Sequence, residues 1–264
     1  MKRALLSLLL VVLFFLPSLA CGSFVTDTVI GSGDIVNQTM DVGGFDRVTL
    51  TGSGNVFIEQ GQTERLSVET DDNIVSLLDV RVRGDELILG VKRGYDVHPS
   101  QPITYTLTLK ELHNLKLAGS GAFDVGPLEA DSLRVSLPGS GDITVESVAA
   151  DELVIDLYGS GNINLEDIKV KTIDTSLRGS GDIELVGQTK EEKVVVTGSG
   201  NYWAGELQAK SGDISIPGSA DVVVWVTTDL KVRVNGSGTI QYYGEPMVDQ
   251  AGLGSGEITP LGGK

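Results

Sequence analysis

A single cysteine, Cys21, stands in the 264 residues, so no disulfide closes within the chain and no cysteine-based metal site forms. Histidine is almost as scarce: only His98 and His113 occur, with no G-x-S-x-G elbow and no H-E-x-x-H pair beside them. His98 lies next to Pro99 in a polar stretch and His113 just ahead of a strand, so both read as surface residues. This inventory assigns no catalytic, cofactor-binding or metal-ligating residue and points away from an enzyme. Basic residues number 20 against 36 acidic, a net charge of −16. Such a chain lacks the positive surface that phosphate backbones require, which excludes nucleic acid as a partner. Beyond Leu16 no apolar run approaches the roughly 20 residues of a membrane-spanning helix.

What is present starts with Lys2 and Arg3, an apolar run from Ala4 to Leu16, and Pro17-Ser18-Leu19-Ala20 before Cys21. That order is the pattern of a bacterial export signal over residues 1–20. Ser18 and Ala20 suit ordinary signal-peptidase cleavage, whereas Leu19-Ala20-Cys21-Gly22 is similar to the lipobox of bacterial lipoproteins, with Ser18 where such motifs carry Leu. Cys21 is therefore the candidate lipidation site, since a thioether to lipid removes an otherwise reactive thiol at the mature start. Either processing route predicts an exported, cell-envelope protein. It is lipid-anchored at the membrane or cell surface if Cys21 is modified, and periplasmic or secreted if not. Loss of residues 1–20 takes Lys2 and Arg3 and leaves 18 basic against 36 acidic side chains, a net charge of −18.

The tripeptide Gly-Ser-Gly then recurs with Ser at 32, 53, 120, 140, 160, 180, 199, 237 and 255, and as Gly-Ser-Ala at Ser219. From Ser120 the steps are 20, 20, 20, 19, 20, 18 and 18 residues, the period of a chain that coils on itself once per repeat. Two residues ahead of each first glycine stand Leu50, Leu117, Leu137, Leu157, Leu177, Val196, Ile216 and Val234. After the corner comes a second column including Val56, Phe123, Ile143, Ile163, Ile183, Tyr202, Val222 and Ile240. Apolar residues alternate with polar ones on both sides, which is strand periodicity with one face buried. A weaker third segment, such as 147–151, completes each unit.

The expected fold is all-β: a single-domain parallel β-helix over residues 21–264, built of coils of about 20 residues stacked ~4.8 Å apart. Absence of a strict six-residue period favours the right-handed form. About twelve coils are expected, a rod on the order of 55 Å. Residues 61–112 read as about three irregular coils with 92–102 as a loop, and 113–258 as the regular Gly-Ser-Gly coils. The corner glycines are expected to serve positive φ or close backbone approach, with serine bonding along the stack. Residues 22–30 and 259–264 are the candidate end caps.

Repeated Gly-Ser-Gly followed by Asp or Asn and Ile, as in Gly141-Asp142-Ile143 and Gly161-Asn162-Ile163-Asn164, resembles the auto-transporter adhesin, head GIN domain family. The resemblance spans roughly Phe45 to Gly244. It implies a β-helical cell-surface or periplasmic protein and carries no catalytic residues to transfer.

The column after the tripeptide includes Asp142, Asn162, Asp182 and Asn201. Oxygen ligands at a glycine corner suit calcium, but calcium-binding β-rolls repeat every nine residues, so the reading is a self-bonding ladder with calcium as the alternative cofactor. Outward acids such as Glu146, Asp156, Glu166, Asp174 and Glu184 allow a polysaccharide-processing enzyme as the rival reading, yet a solvated acidic face requires no catalysis. Trp203, Tyr158 and Trp225 are candidate sugar platforms. The function expected is a non-catalytic adhesion or interaction module presenting a rigid acidic surface to a cell-surface glycan or envelope protein, with a purely structural envelope role as a further alternative. The membrane is reached only through the lipid on Cys21, and no particular binding residue is singled out.

Overall fold

A computed structural model describes residues 26–264; the export signal expected over residues 1–20 and the candidate lipidation site Cys21 lie outside the described residues. The first part of the chain forms β1 (Asp27–Ile30), β2 (Ile35–Met40), β3 (Arg47–Leu50), β4 (Asn55–Gln60), β5 (Arg65–Asp71), the one-turn α1 (Asp72–Val75), β6 (Leu78–Arg83), β7 (Glu86–Val91), β8 (Tyr95–His98) and β9 (Thr104–Leu109). The repeat region follows as β10 (Asn114–Leu117), β11 (Ala122–Val125), β12 (Leu128–Leu137), β13 (Asp142–Val145), β14 (Val148–Leu157) and β15 (Ile163–Leu177). It ends with β16 (Ile183–Val196), β17 (Tyr202–Ile216), β18 (Asp221–Val234), β19 (Thr239–Tyr243), β20 (Met247–Leu253) and β21 (Glu257–Gly262).

The elements build a β-solenoid of about 7 turns with coils of about 20 residues. Ahead of the glycine corner the ladder β7–β3–β10–β12–β14–β15–β16–β17–β18–β20 is parallel throughout. Beyond it, β9–β4–β11–β13–β15–β16–β17–β18–β19–β21 is parallel as well. In the long strands a third face, such as 168–170 in β15, joins the second to the first. Register stacks like on like: Leu137, Leu157, Leu177 and Val196 form one fully buried column. Each such side chain, removed from water, contributes about 1.5–3 kcal/mol.

The turn number is smaller than the dozen expected, and part of the difference lies in 61–112, whose strand signals do not add three successive coils. Only β7 and β9 enter the stack in parallel, beneath β3 and β4. β6 pairs antiparallel with β7, and β5 pairs antiparallel with both β9 and β2. The segment folds back as a cap on the first coils and occupies the strand edges they would otherwise expose. The expected loop 92–102 holds β8, which pairs with β1 in a separate two-stranded sheet.

Gly31-Ser32-Gly33 is not a corner of the stack. Gly33 N–H donates to Asp71 Oδ1 at 2.7 Å, Ser100 N–H to Oδ2 at 2.9 Å and the Ser100 hydroxyl to Oδ1 at 2.7 Å. Ser32 binds Asn73 and Asp72 beside it. The Ser100 hydroxyl holds the buried Asp71 carboxyl below the usual carboxylate range, against the opposing push of burial, with the Ser100 and Gly33 amides adding to the lowering. A depressed carboxyl stabilises the fold above the ordinary value of 3.8 and loses that contribution as pH falls through its folded value. Asp71→Asn is therefore expected to lower the denaturation midpoint at neutral pH, with the gap to the parent narrowing below pH 3.8. Urea melts across that range that stay parallel would contradict this role.

At the true corners the glycines answer to close approach. Gly139, Gly159 and Gly179 do not have positive φ. A Cβ on Gly139 would lie 2.0 Å from the Gly119 carbonyl oxygen, and one on Gly159 only 1.6 Å from that of Gly139. The serines between them are exposed, and their amides tie the stack: Ser140 N–H to Gly119 O at 3.0 Å and Ser180 N–H to Gly159 O at 3.0 Å. The expected hydroxyl bond along the stack is present between Ser237 and Ser255 at 3.1 Å.

Candidate functional site

On the third face the inward positions are small or branched and the outward positions carry amines. Ala130, Ala150 and Val170 stack in register, and Lys169 stands beside Gln188, which stands beside Gln208. Together with Lys171, Lys190 and Lys210 they line a groove of about 770 Å³. Lys169 pairs with Asp167 at 2.9 Å and Lys171 with Asp151 at 2.5 Å. Among the described residues Lys190 and Lys210 have no carboxylate within ion-pair distance. The Thr189 hydroxyl, buried below, donates to the Lys171 carbonyl at 3.2 Å and fixes the local bend. A second groove of about 660 Å³ follows the next bend, where Glu152, Asp174, Glu191 and Asp213 mix with Lys193 and Lys231. Four lysines of an acidic chain thus line one groove, while Lys193 and Lys231 lie along the next.

The sequence-derived ladder closes on itself. Asn162 donates its backbone N–H and side-chain amide to Asp142 Oδ1 at 2.9 and 3.0 Å, and Asp182 N–H donates to Asn162 Oδ1 at 3.1 Å. Asn201 repeats this on Asp182 Oδ1 at 2.8 and 3.0 Å, and Asp221 N–H reaches Asn201 Oδ1 at 3.2 Å. Amide hydrogens thus engage Oδ1 of Asp142 and Asp182 and the side-chain oxygens of Asn162 and Asn201, and no group of three or more metal-competent side chains occurs among the described residues.

The outward acids separate. Asp156 pairs with Arg134 and accepts the Tyr158 hydroxyl at 3.1 Å, and Asp174 pairs with Lys193 at 3.2 Å. Glu146, Glu166 and Glu184 line a groove of about 660 Å³ on the second face. His98 pairs with Asp96 and His113 with Asp46, each at 3.3 Å, so the two histidines serve different partners.

Of the aromatic residues, Tyr202 is fully buried and Trp203 is exposed, as the alternation predicts. Tyr158 stacks with Arg178 at 5.3 Å from its ring centre, and Trp225 lies under the Lys264 ammonium. The sequence reading passes over Glu192, whose carboxyl accepts the Tyr202 hydroxyl at 2.6 Å inside the core. The signal exists: the alternation that turns Val194 and Val196 inward turns Glu192 inward too.

The profile of the family described as "Putative auto-transporter adhesin, head GIN domain" matches residues 44–166 and, overlapping them, 139–246. A solved structure from Parabacteroides distasonis, described as a putative lipid binding protein, is similar with a TM-score of 0.83 at 28% identity, over 89% of this chain and 100% of that one. A putative adhesin from Parabacteroides merdae gives 0.83 at 22% identity, with 89% and 100% covered. Another from Bacteroides fragilis gives 0.69 at 24%, with 88% and 100% covered. These last two likenesses speak for the fold alone. No curated protein matches the chain. The two profile matches overlap across residues 139–166, as coils of equal length allow. Spanning well over half of the sequence, they establish that the chain belongs to the auto-transporter adhesin, head GIN domain family.

Proposed function

We propose that the protein is a non-catalytic binding module of the bacterial envelope, exported by residues 1–20, held to a membrane by lipid on Cys21, and engaging acidic polysaccharide through the groove between Lys169 and Lys210. The groove itself carries this reading: a floor of Ala130, Ala150 and Val170 with four amines on its walls, two of them without a carboxylate partner among the described residues. Family membership and the likeness to a structure described as a putative lipid binding protein support a binding role. A rigid stack with a ~4.8 Å repeat suits a polymer that presents charge at intervals, since many weak contacts then sum without further ordering cost.

The test uses acidic and neutral polysaccharide columns, with retained protein and released reducing ends scored together. Retention on the acidic polymers is expected to fall at least ~10-fold in Lys190→Glu/Lys210→Glu and to weaken with salt, as exposed charge pairs do. Retention that ignores both changes removes the groove from the proposal, and released reducing ends overturn the non-catalytic assignment.

A further inference from the structure

We propose that Trp225, Tyr243, the Gly205 carbonyl and Glu206 form a receptor for a primary alkylammonium group, the lysine side chain of a protein partner, and that the chain's own Lys264 fills it. The inference does not rest on the lysine-lined groove: that groove adjoins the site, with Gln208 in register beside Trp225, but attracts the opposite charge.

The Lys264 ammonium stands 4.6 Å from the centre of the Tyr243 ring and 5.4 Å from that of Trp225. It donates to the Gly205 carbonyl at 2.7 Å and also reaches the Glu206 carboxylate. Two ring faces, one carbonyl and one carboxylate around a single nitrogen satisfy its charge and its N–H groups together.

The fold makes this arrangement deliberately. β17 and β18 fall out of register between Ala204 and Gln208, so residues 205–207 bulge and the Gly205 carbonyl leaves the ladder. Gly205 also clears the space: a Cβ there would meet Val223 at 3.1 Å and Tyr243 at 3.4 Å. Trp225 and Tyr243 are direct neighbours in the next pair of strands, which places both rings beside the bulge.

The acceptors define the ligand. A quaternary ammonium satisfies the ring faces but has no N–H for Gly205 and Glu206, so a primary ammonium is preferred. The resident nitrogen arrives on the flexible four-carbon stem of a lysine, a reach that an amine fixed to a sugar ring lacks. The net charge of −16 draws basic segments toward the molecule. While Lys264 occupies the site, an incoming lysine binds only to the fraction of molecules in which it is open, so removing Lys264 raises the apparent affinity.

The experiment follows Trp225 emission in a Trp203→Phe background. N-acetyl-lysine methylamide, tetramethylammonium and glucosamine are titrated into the parent, Lys264→Gln, and Lys264→Gln/Glu206→Gln, with circular dichroism confirming the fold. The lysine amide is expected to saturate Lys264→Gln at least ~10-fold below the concentration the parent needs. Tetramethylammonium, glucosamine and the Glu206→Gln combination are each expected to be at least ~10-fold weaker. In the unmodified protein, ring currents are expected to shift the Lys264 ε-methylene proton signal upfield, and excess n-butylammonium to return it, which keeps the test open if a variant misfolds. No saturable response in a folded Lys264→Gln protein overturns the site, and equal affinity in parent and variant overturns self-occupation. Tighter binding of glucosamine overturns the lysine assignment, and an unshifted ε-methylene signal contradicts the cage.

Discussion

Replacing Glu192 by Gln is expected to change how stability depends on pH, shifting the difference between variant and parent by about 3 kcal/mol between pH 4.5 and pH 8. Burial pushes the Glu192 carboxyl up from 4.5 to about 7, only partly opposed by the hydrogen bond from the Tyr202 hydroxyl. One unit corresponds to about 1.4 kcal/mol, which sets the size of the effect. The folded state holds the proton more tightly than the unfolded chain does. The parent therefore loses stability as pH rises from 4.5 to about 7 and levels off above, whereas glutamine, neutral throughout, lacks this slope.

The geometry agrees with the direction. In the register Ile173–Glu192–Gly212–Leu230 the carboxyl sits in an aliphatic column next to a glycine, with Oε2 buried and unbonded among the described residues. A buried charge in such a place is costly unless fully partnered. Urea midpoints at pH 4.5, 6 and 8 measure the slope, and curves for parent and variant that run parallel would sink the assignment.

Gly159→Ala is expected to cost about 3 kcal/mol or more and to lower the melting temperature by roughly 10 °C. The obstacle is the Gly139 carbonyl oxygen 1.6 Å from the new methyl, a backbone atom of the neighbouring coil that no rotamer change can move. Relief requires two coils to part, and with them the hydrogen bonds of the corner, including Ser160 N–H to Gly139 O at 3.2 Å. Gly263→Ala is the control: no atom lies within 4 Å of its added methyl, and its φ is not in the left-handed region, so a change within ~0.5 kcal/mol is expected. Equal effects of the two substitutions in thermal melts would refute close approach as the reason for glycine.

Much of the architecture is legible because a coil repeats its environment. The residue two before each corner meets the same interior in each coil, so Leu137, Leu157 and Leu177 report one buried column three times. The shortening of the step from 20 to 18 residues after Ser219 likewise announces that a longer coil lies beside a shorter one. The structure absorbs the difference as the bulge at 205–207.

Other features stay hidden because different structures share one local signal. Strands of an antiparallel hairpin alternate as coil strands do, so β6, which turns back across Gly84 from β7, looks like one more strand of the stack. The tripeptide at Ser32 is identical to that at Ser140, yet one wraps the Asp71 carboxylate and the other stacks on Gly119. Lys169 and Lys210 are distant in sequence, and nothing local shows that they share a groove.

The sequence by itself determined the β-solenoid, its coil length and the residues that point inward, because period and alternation are local properties and the same packing recurs in every turn. Tertiary structure alone decided how the first coils are capped, which lysines meet, and which ammonium lies between Trp225 and Tyr243. Those outcomes depend on strand direction and on register between coils, and both are set by backbone pairing across the stack between residues that the sequence keeps far apart.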